Sequence, residues 1–196
     1  MIIIYTIIAF LCGSFMFSYW IGLLVKKDIT NVGDGNPGAY NLWYAAGAKL
    51  GIFGVFLDFM KGYLPLAILL RQGLISGLDI VPVGLAAILG HSFSPFLKFK
   101  GGKGIAVTFG VWSAVTGFRV SLAYAIILAV LLLIAKILNK GAKTSTESDG
   151  VMVVLGMYIL GIYMFINDFP NNILTLWLGN SIILTYNNKA KLLAFY

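Results

Sequence analysis

Three groups of residues in this chain are of types and spacings that could do chemistry. Gly33, Gly35 and Gly38, within the stretch NVGDGNPGAYN from Asn31 to Asn41, spell G-x-G-x-x-G, and Asp58 follows twenty positions after the last glycine. On spacing alone this is a dinucleotide-binding fingerprint, in which glycines admit a pyrophosphate and a carboxylate takes a ribose hydroxyl. A second glycine cluster, KFKGGKGIAVT, runs from Lys98 to Thr108. Consecutive glycines can turn their amides into one concavity that receives an anion. Lys103 would add a point charge there, and a helix beginning near Gly104 would add its positive end. That combination suits a phosphate, although the G-x-x-x-x-G-K-[ST] spacing of a P-loop is missing. The alternative is a tight turn whose lysines only mark the cytoplasmic side. The third group is ionisable. Asp58 and Lys61, three positions apart, share a helix face and can pair, either functionally or as a structural ion pair. His91, the one histidine, closes an apolar run in LGHSFSPF, where it could position a substrate or cap a helix. With one histidine and no G-x-S-x-G, a serine triad has little support. No cluster of His, Cys and carboxylates suggests a metal, and no cofactor is expected.

The elements that carry these groups follow from composition. The chain has 196 residues, 60% hydrophobic and 11% charged, with a mean hydropathy of +0.93. Soluble domains carry roughly 25% charged residues. The deficit implies an all-α, polytopic membrane helix bundle forming one domain over residues 1–196. A span needs about 20 apolar residues, and seven candidates stand out: 2–25, 50–70, 74–96, 104–118, 119–137, 150–166 and 170–186. The first lacks a basic leading region and a small-residue cleavage site, so it reads as a retained helix and not a signal peptide. The one cysteine, Cys12, permits no internal disulfide.

Orientation follows from the basic residues. With the N-terminus outside, the inner side holds Lys26, Lys27, Lys49, Lys98, Lys100, Lys103, Lys136, Lys140, Lys143, Lys189 and Lys191. That is eleven, against Arg71 and Arg119 outside and Lys61 within a span. An odd number of spans and a cytoplasmic C-terminus follow, and both glycine loops fall inside. The net charge of +7 then reads as topology and attraction to anionic lipid or substrate, not nucleic-acid binding. The dinucleotide fingerprint also fails in this context. It needs a strand before it and a helix after it, but it follows a run long enough to span a bilayer, and Asp58 sits inside another span.

Taken together, NVGDGNPGAYN, FLDFMKGYLP, GLAAILGHSFSPFLKFKGGKGIA and, more weakly, NNKAKLL resemble the small integral-membrane acyl-phosphate:glycerol-3-phosphate acyltransferases of bacteria. The resemblance covers most of the chain. It implies seven membrane helices in the bacterial inner membrane and acyl transfer from acyl phosphate to glycerol 3-phosphate, giving lysophosphatidic acid. The implied partners are those two substrates and the lipid bilayer. The resemblance assigns Lys103, Asn36 and Asn188 to catalysis. It assigns Gly33, Asp34, Gly35, Gly38, Asn41, His91, Gly101, Gly102, Gly104, Ser145 and Lys191 to substrate binding, with Asp58 and Lys61 as a structural ion pair. The chain departs from the family pattern at five positions. Asp34 stands for a serine, Tyr40 for a threonine, Tyr44 for an arginine, Val107 for a threonine and Thr185 for a histidine. Gaining an anion and losing a cation in one loop leaves a second function open, a lipid-binding or scaffold paralogue with an altered or silent acceptor site. If the site is an enzyme's, Asp34 requires a nearby cation, with Lys103 expected first and Lys191 next.

Overall fold

In hydrocarbon a backbone must satisfy its own amides and carbonyls, so apolar runs of this length fold as helices. The computed structural model describes residues 1–142 and 144–194; Lys143, counted above among the inner lysines, lies outside them. Among the described residues the regular structure is helical. The helices are α1 (Ile2–Ser14), α2 (Phe17–Leu24), α3 (Ala39–Ala46), α4 (Ala48–Arg71), α5 (Ile80–Ser92), α6 (Ile105–Thr116), α7 (Arg119–Leu138), α8 (Thr146–Ile166), α9 (Asn171–Asn187) and α10 (Lys189–Ala194). Five stretches are long and apolar enough to cross a membrane: Ile2–Leu24, Ala48–Arg71, Gly77–Leu97, Arg119–Leu138 and Thr146–Ile166. The other two expected segments are the shorter helices α6, of 12 residues, and α9, of 17.

The helices differ from the sequence expectation in four places. The first expected span is interrupted between α1 and α2 at Phe15 and Met16. The carbonyls freed there find partners in distant segments. Ser94 Oγ donates to the Ser14 carbonyl at 2.7 Å, and Lys61 Nζ donates to the Phe15 carbonyl. A short helix, α3, follows the first glycine loop where only loop was expected. The third segment is regular α-helix only from Ile80, after a 3-10 turn at Gly77–Asp79. The sixth starts early because Ser145 caps it, accepting from the Ser148 amide at 3.2 Å.

Close helix approach sets the frame. A Cβ on Gly13 would lie 2.0 Å from the Ala87 carbonyl oxygen, and one on Gly90 would lie 2.1 Å from that of Phe10. These two positions let α1 and α5 touch backbone to backbone, the small-residue packing that lipid favours. Gly62 and Gly110 do the same between α4 and α6, against Val107 and Phe59. Behind them Val83, Ile88, Val111, Met157, Leu160 and Leu176 form the buried core. Buried Trp112 donates to Asn180 Oδ1 at 2.9 Å, and Asn180 donates on to Thr108 at 3.2 Å. This satisfied polar chain pins α6 to α9. On the outside, Ile126, Leu133 and Ile162 are exposed, as befits a surface solvated by lipid tails.

Candidate active site

The first glycine loop is shaped by its own polar side chains. Gly33 and Gly35 take positive φ, +59° and +71°, a conformation that costs glycine little. The Gly35 amide donates to Val32 O at 3.1 Å, and the Asn36 amide donates to Asp34 Oδ1 at 3.2 Å. Asn41, fully buried, closes the loop from the first turn of α3. Its side-chain amide donates to Val32 O at 2.7 Å, Asn36 O at 2.9 Å and Asp34 Oδ1 at 3.2 Å. The loop is therefore fixed, with Asp34 at its tip.

The second glycine loop works differently from the nest read in the sequence. Gly101 N–H donates to Ser92 O at 3.1 Å and Gly102 N–H to His91 O at 3.0 Å, so both amides cap the C-terminal end of α5. Their lack of side chains also has a local cause. A Cβ at Gly101 would sit 1.9 Å from the His91 carbonyl oxygen, and one at Gly102 would sit 2.3 Å from His91 Nε2. The expectation that consecutive glycine amides cradle an anion is thus corrected for Gly101 and Gly102. What the loop offers an anion is Lys103 and the start of α6 after Gly104. Asn187 holds this loop against α9, donating to Ser92 Oγ at 2.8 Å and Lys103 O at 3.1 Å.

The two loops and the C-terminal segment meet at one carboxylate. Lys103 Nζ pairs with Asp34 Oδ2, and Lys191 Nζ lies 3.1 Å from the same oxygen. Lys191 also donates to Thr146 O at 2.7 Å, which ties α10 to the start of α8. Both cations expected to offset Asp34 do so. Burial alone would raise the Asp34 carboxyl, but hydrogen bonds and charge from Lys103 and Lys191 outweigh it and hold the group well below the usual carboxylate range. Partial burial pulls the Lys103 ammonium down, and neighbouring Lys191 pulls the same way; Asp34 offsets only part of this.

This cluster forms the polar end of a cavity of about 350 Å³. Asn36, Gly38, Asp58, His91, Gly104 and Asn188 also line it, and Val55, Phe109 and Val153 give it an apolar wall. Three buried polar atoms on lining residues, Asp58 Oδ1, His91 Nδ1 and Asn188 Oδ1, have no hydrogen-bond partner among the described residues, and of these only Asp58 Oδ1 has an ion-pair partner, Lys61. Asn188 is oriented by its own amide, which donates to Leu184 O at 2.9 Å. Of the remaining sequence candidates, Gly33, Gly35, Asn41, Gly101 and Gly102 support the loops, and Ser145 caps α8. Asp58 and Lys61 pair at 2.9 Å, with Ser18 donating to the other Asp58 oxygen at 2.7 Å. Tyr40, on the rim, donates to Tyr44 at 3.3 Å. That hydrogen bond and partial burial push its phenol up to about 12, so it stays protonated. Sequence reasoning missed Ser92, Thr146, Asp149 and Asn187. Ser92 and Asn187 carried a signal, since they lie within LGHSFSPF and NNKAKLL.

A helical membrane bundle with an amphipathic cavity, lined by two lysines and the carboxylates of Asp34, Asp58 and Asp149 and apolar along one wall, is the class of integral-membrane protein suited to a ligand with a polar head and an apolar chain. The comparisons with known proteins agree with this class. The glycerol-3-phosphate acyltransferase family matches residues 3–194, and the chain belongs to that family. It is 37% identical over 190 residues to glycerol-3-phosphate acyltransferase 1 of Thermotoga maritima, covering 94% of this chain and 93% of the relative. The glycerol-3-phosphate acyltransferase of Aquifex aeolicus is 31% identical over 183 residues, covering 93% and 89%. Among solved structures, an integral membrane glycerol 3-phosphate acyltransferase in its glycerol 3-phosphate form superposes with a TM-score of 0.85 at 29% identity, covering 99% of this chain and 91% of that one. Its lysophosphatidic acid form gives 0.82 at the same identity.

Proposed function

We propose that the cavity is where an acyl group passes from an acyl phosphate to glycerol 3-phosphate. The protein is a membrane glycerol-3-phosphate acyltransferase of phospholipid synthesis. The observation that carries the site assignment is the meeting of Asp34, Lys103 and Lys191, from three separate segments, at the polar end of a cavity with an apolar wall. A phosphate at the lysines and an acyl chain along Val55, Phe109 and Val153 match that division.

The chemistry asks little beyond placement. The acceptor hydroxyl oxygen forms a bond to the acyl carbon, the bond from that carbon to the phosphate oxygen breaks, and the hydroxyl proton goes to the departing phosphate. Phosphate is a competent leaving group, so neither a covalent nucleophile nor a metal is required. Holding the reactants in line can remove as much as about 7–11 kcal/mol of the barrier. Lys103 and the α6 N-terminus stabilise the charge left on phosphate, and the Asn188 and His91 side chains orient the acceptor. The lysine asymmetry supports seven spans in a bacterial inner membrane, with the N-terminus outside and the cavity opening to the cytoplasmic side.

The test is initial-rate transfer by purified protein with an acyl phosphate and a panel of acceptors. Formation of lysophosphatidic acid from glycerol 3-phosphate is the expected result. Preference for an uncharged polyol would overturn the acceptor assignment. Transfer to no acceptor at all would leave a lipid-binding scaffold as the better reading.

A further inference from the structure

The mechanism leaves one strong feature of the cavity unused. A resident carboxylate occupies the position at which the two lysines of the site converge. Asp34 Oδ2 is shared by Lys103 and by Lys191 at 3.1 Å, while Asp34 Oδ1 is bound separately by the Asn36 amide at 3.2 Å. Both ammonium groups are mostly shielded, with side-chain exposures of 21% and 14%, so neither is a freely solvated cation waiting for an anion. The division between the two oxygens matters. One shapes the loop, and the other faces the lysines in the manner of a substrate oxyanion.

We infer that Asp34 is a built-in substitute for a substrate phosphate, a specificity-determining residue that bridges Lys103 and Lys191 until the phosphate of an incoming substrate takes its place. This rests on the acyltransferase reading for its substrates but not for its geometry. A carboxylate carries one negative charge, and a phosphate monoester at neutral pH carries up to about two. A doubly charged head with three oxygens can therefore win both lysines, whereas a singly charged or neutral ligand competes poorly. The bridge raises the concentration of substrate needed for half-saturation, and it weakens binding of free inorganic phosphate released by turnover. The phosphate concerned can belong to glycerol 3-phosphate or to the acyl phosphate, since both present the same chemistry to the lysines.

The informative variant is Asp34→Asn. It keeps one side-chain oxygen, which still accepts from the Asn36 amide and from Asn41 Nδ2, and puts an uncharged NH2 group where Oδ2 met the lysines, so the loop retains its turn while the bridge is lost. KM is measured separately for glycerol 3-phosphate and for acyl phosphate, with kcat and the inhibition constant of inorganic phosphate. The expected result is a fall of roughly tenfold or more in KM for one phosphate-bearing substrate and a parallel fall in the phosphate inhibition constant, the scale of one charge-assisted hydrogen bond. Whichever KM falls identifies the substrate that displaces Asp34. Unchanged or raised values for both substrates and for phosphate would overturn the inference. Equilibrium binding of inorganic phosphate to parent and variant, read by calorimetry, separates the two readings. Tighter binding by the variant without any acyl transfer by either protein would sustain the bridge and sink the acyltransferase assignment.

Discussion

Lys103 and its glycine neighbours occupy one loop yet do different work, and substitution separates them. The Lys103 side chain is partly exposed and is packed through its charge. In Lys103→Ala, Asp34 keeps Lys191 at 3.1 Å, so no carboxylate is left uncompensated, and the cost of losing this partly shielded pair stays at about 1 kcal/mol. Acyl transfer should fall below detection, while the thermal midpoint in detergent changes little. Gly101→Ala should do the reverse. Its Cβ would meet a backbone oxygen at 1.9 Å, and since no rotamer change relieves that clash, a clear drop in midpoint is expected. The pH profile adds a second handle on Lys103. Its ammonium titrates below the ordinary lysine value of about 10.4 because burial and Lys191 lower it. The protonated form is the active one, so the alkaline limb of kcat/KM, which reports the free enzyme, should begin below that value. Asp34 raises the Lys103 value, so Asp34→Asn should move the limb to still lower pH. A limb that does not move in the variant would remove Lys103 as its origin.

At the scale of elements, the interruption between α1 and α2 depends on α4. The freed Phe15 carbonyl takes its hydrogen bond from Lys61, which is held by Asp58, which in turn accepts from Ser18 on α2. The sequence showed that Asp58 and Lys61 share a face and can pair. It did not show that the pair repairs a broken helix, because nothing in the apolar run Ile2–Leu24 marks a break by composition. Both side chains are almost fully buried, at 2% and 3% exposure. Removing one member of such a pair costs roughly 3–5 kcal/mol, since the other is left uncompensated. Lys61→Met should therefore lower the midpoint strongly, and adding Asp58→Asn should recover part of that loss. Strictly additive losses in the double variant would show that the two side chains do not act as one unit.

At the scale of the molecule, the site exists only if the first loop, the second loop and the C-terminal helix lie on one side of the membrane. Single cysteines at Asn36, Lys103, Ser145 and Lys191, placed after Cys12→Ser, should all label from the cytoplasmic face and be protected from an impermeant reagent outside. Opposite labelling of Asn36 and Lys103 would be incompatible with the Asp34–Lys103 pair.

Much of this architecture was legible in local sums over the sequence. Hydropathy predicted seven spans, and each of the seven stretches contains α-helix, the first in two pieces, although five are long and apolar enough to cross a membrane. Helix formation there depends on the apolar content of one stretch and not on its neighbours. The boundary between the expected segments 104–118 and 119–137 also falls where the structure turns, with Gly117 and Phe118 at positive φ. Charge balance also called for a cation beside Asp34. Other features depend on partners far away in the chain. Asp34 and Lys103 are 69 positions apart, and no spacing rule brings them together. The Gly101 and Gly102 amides looked free to receive an anion until α5 was seen to take them. A hydrogen-bond donor is available or committed according to what packs against it, and only the tertiary structure decides that.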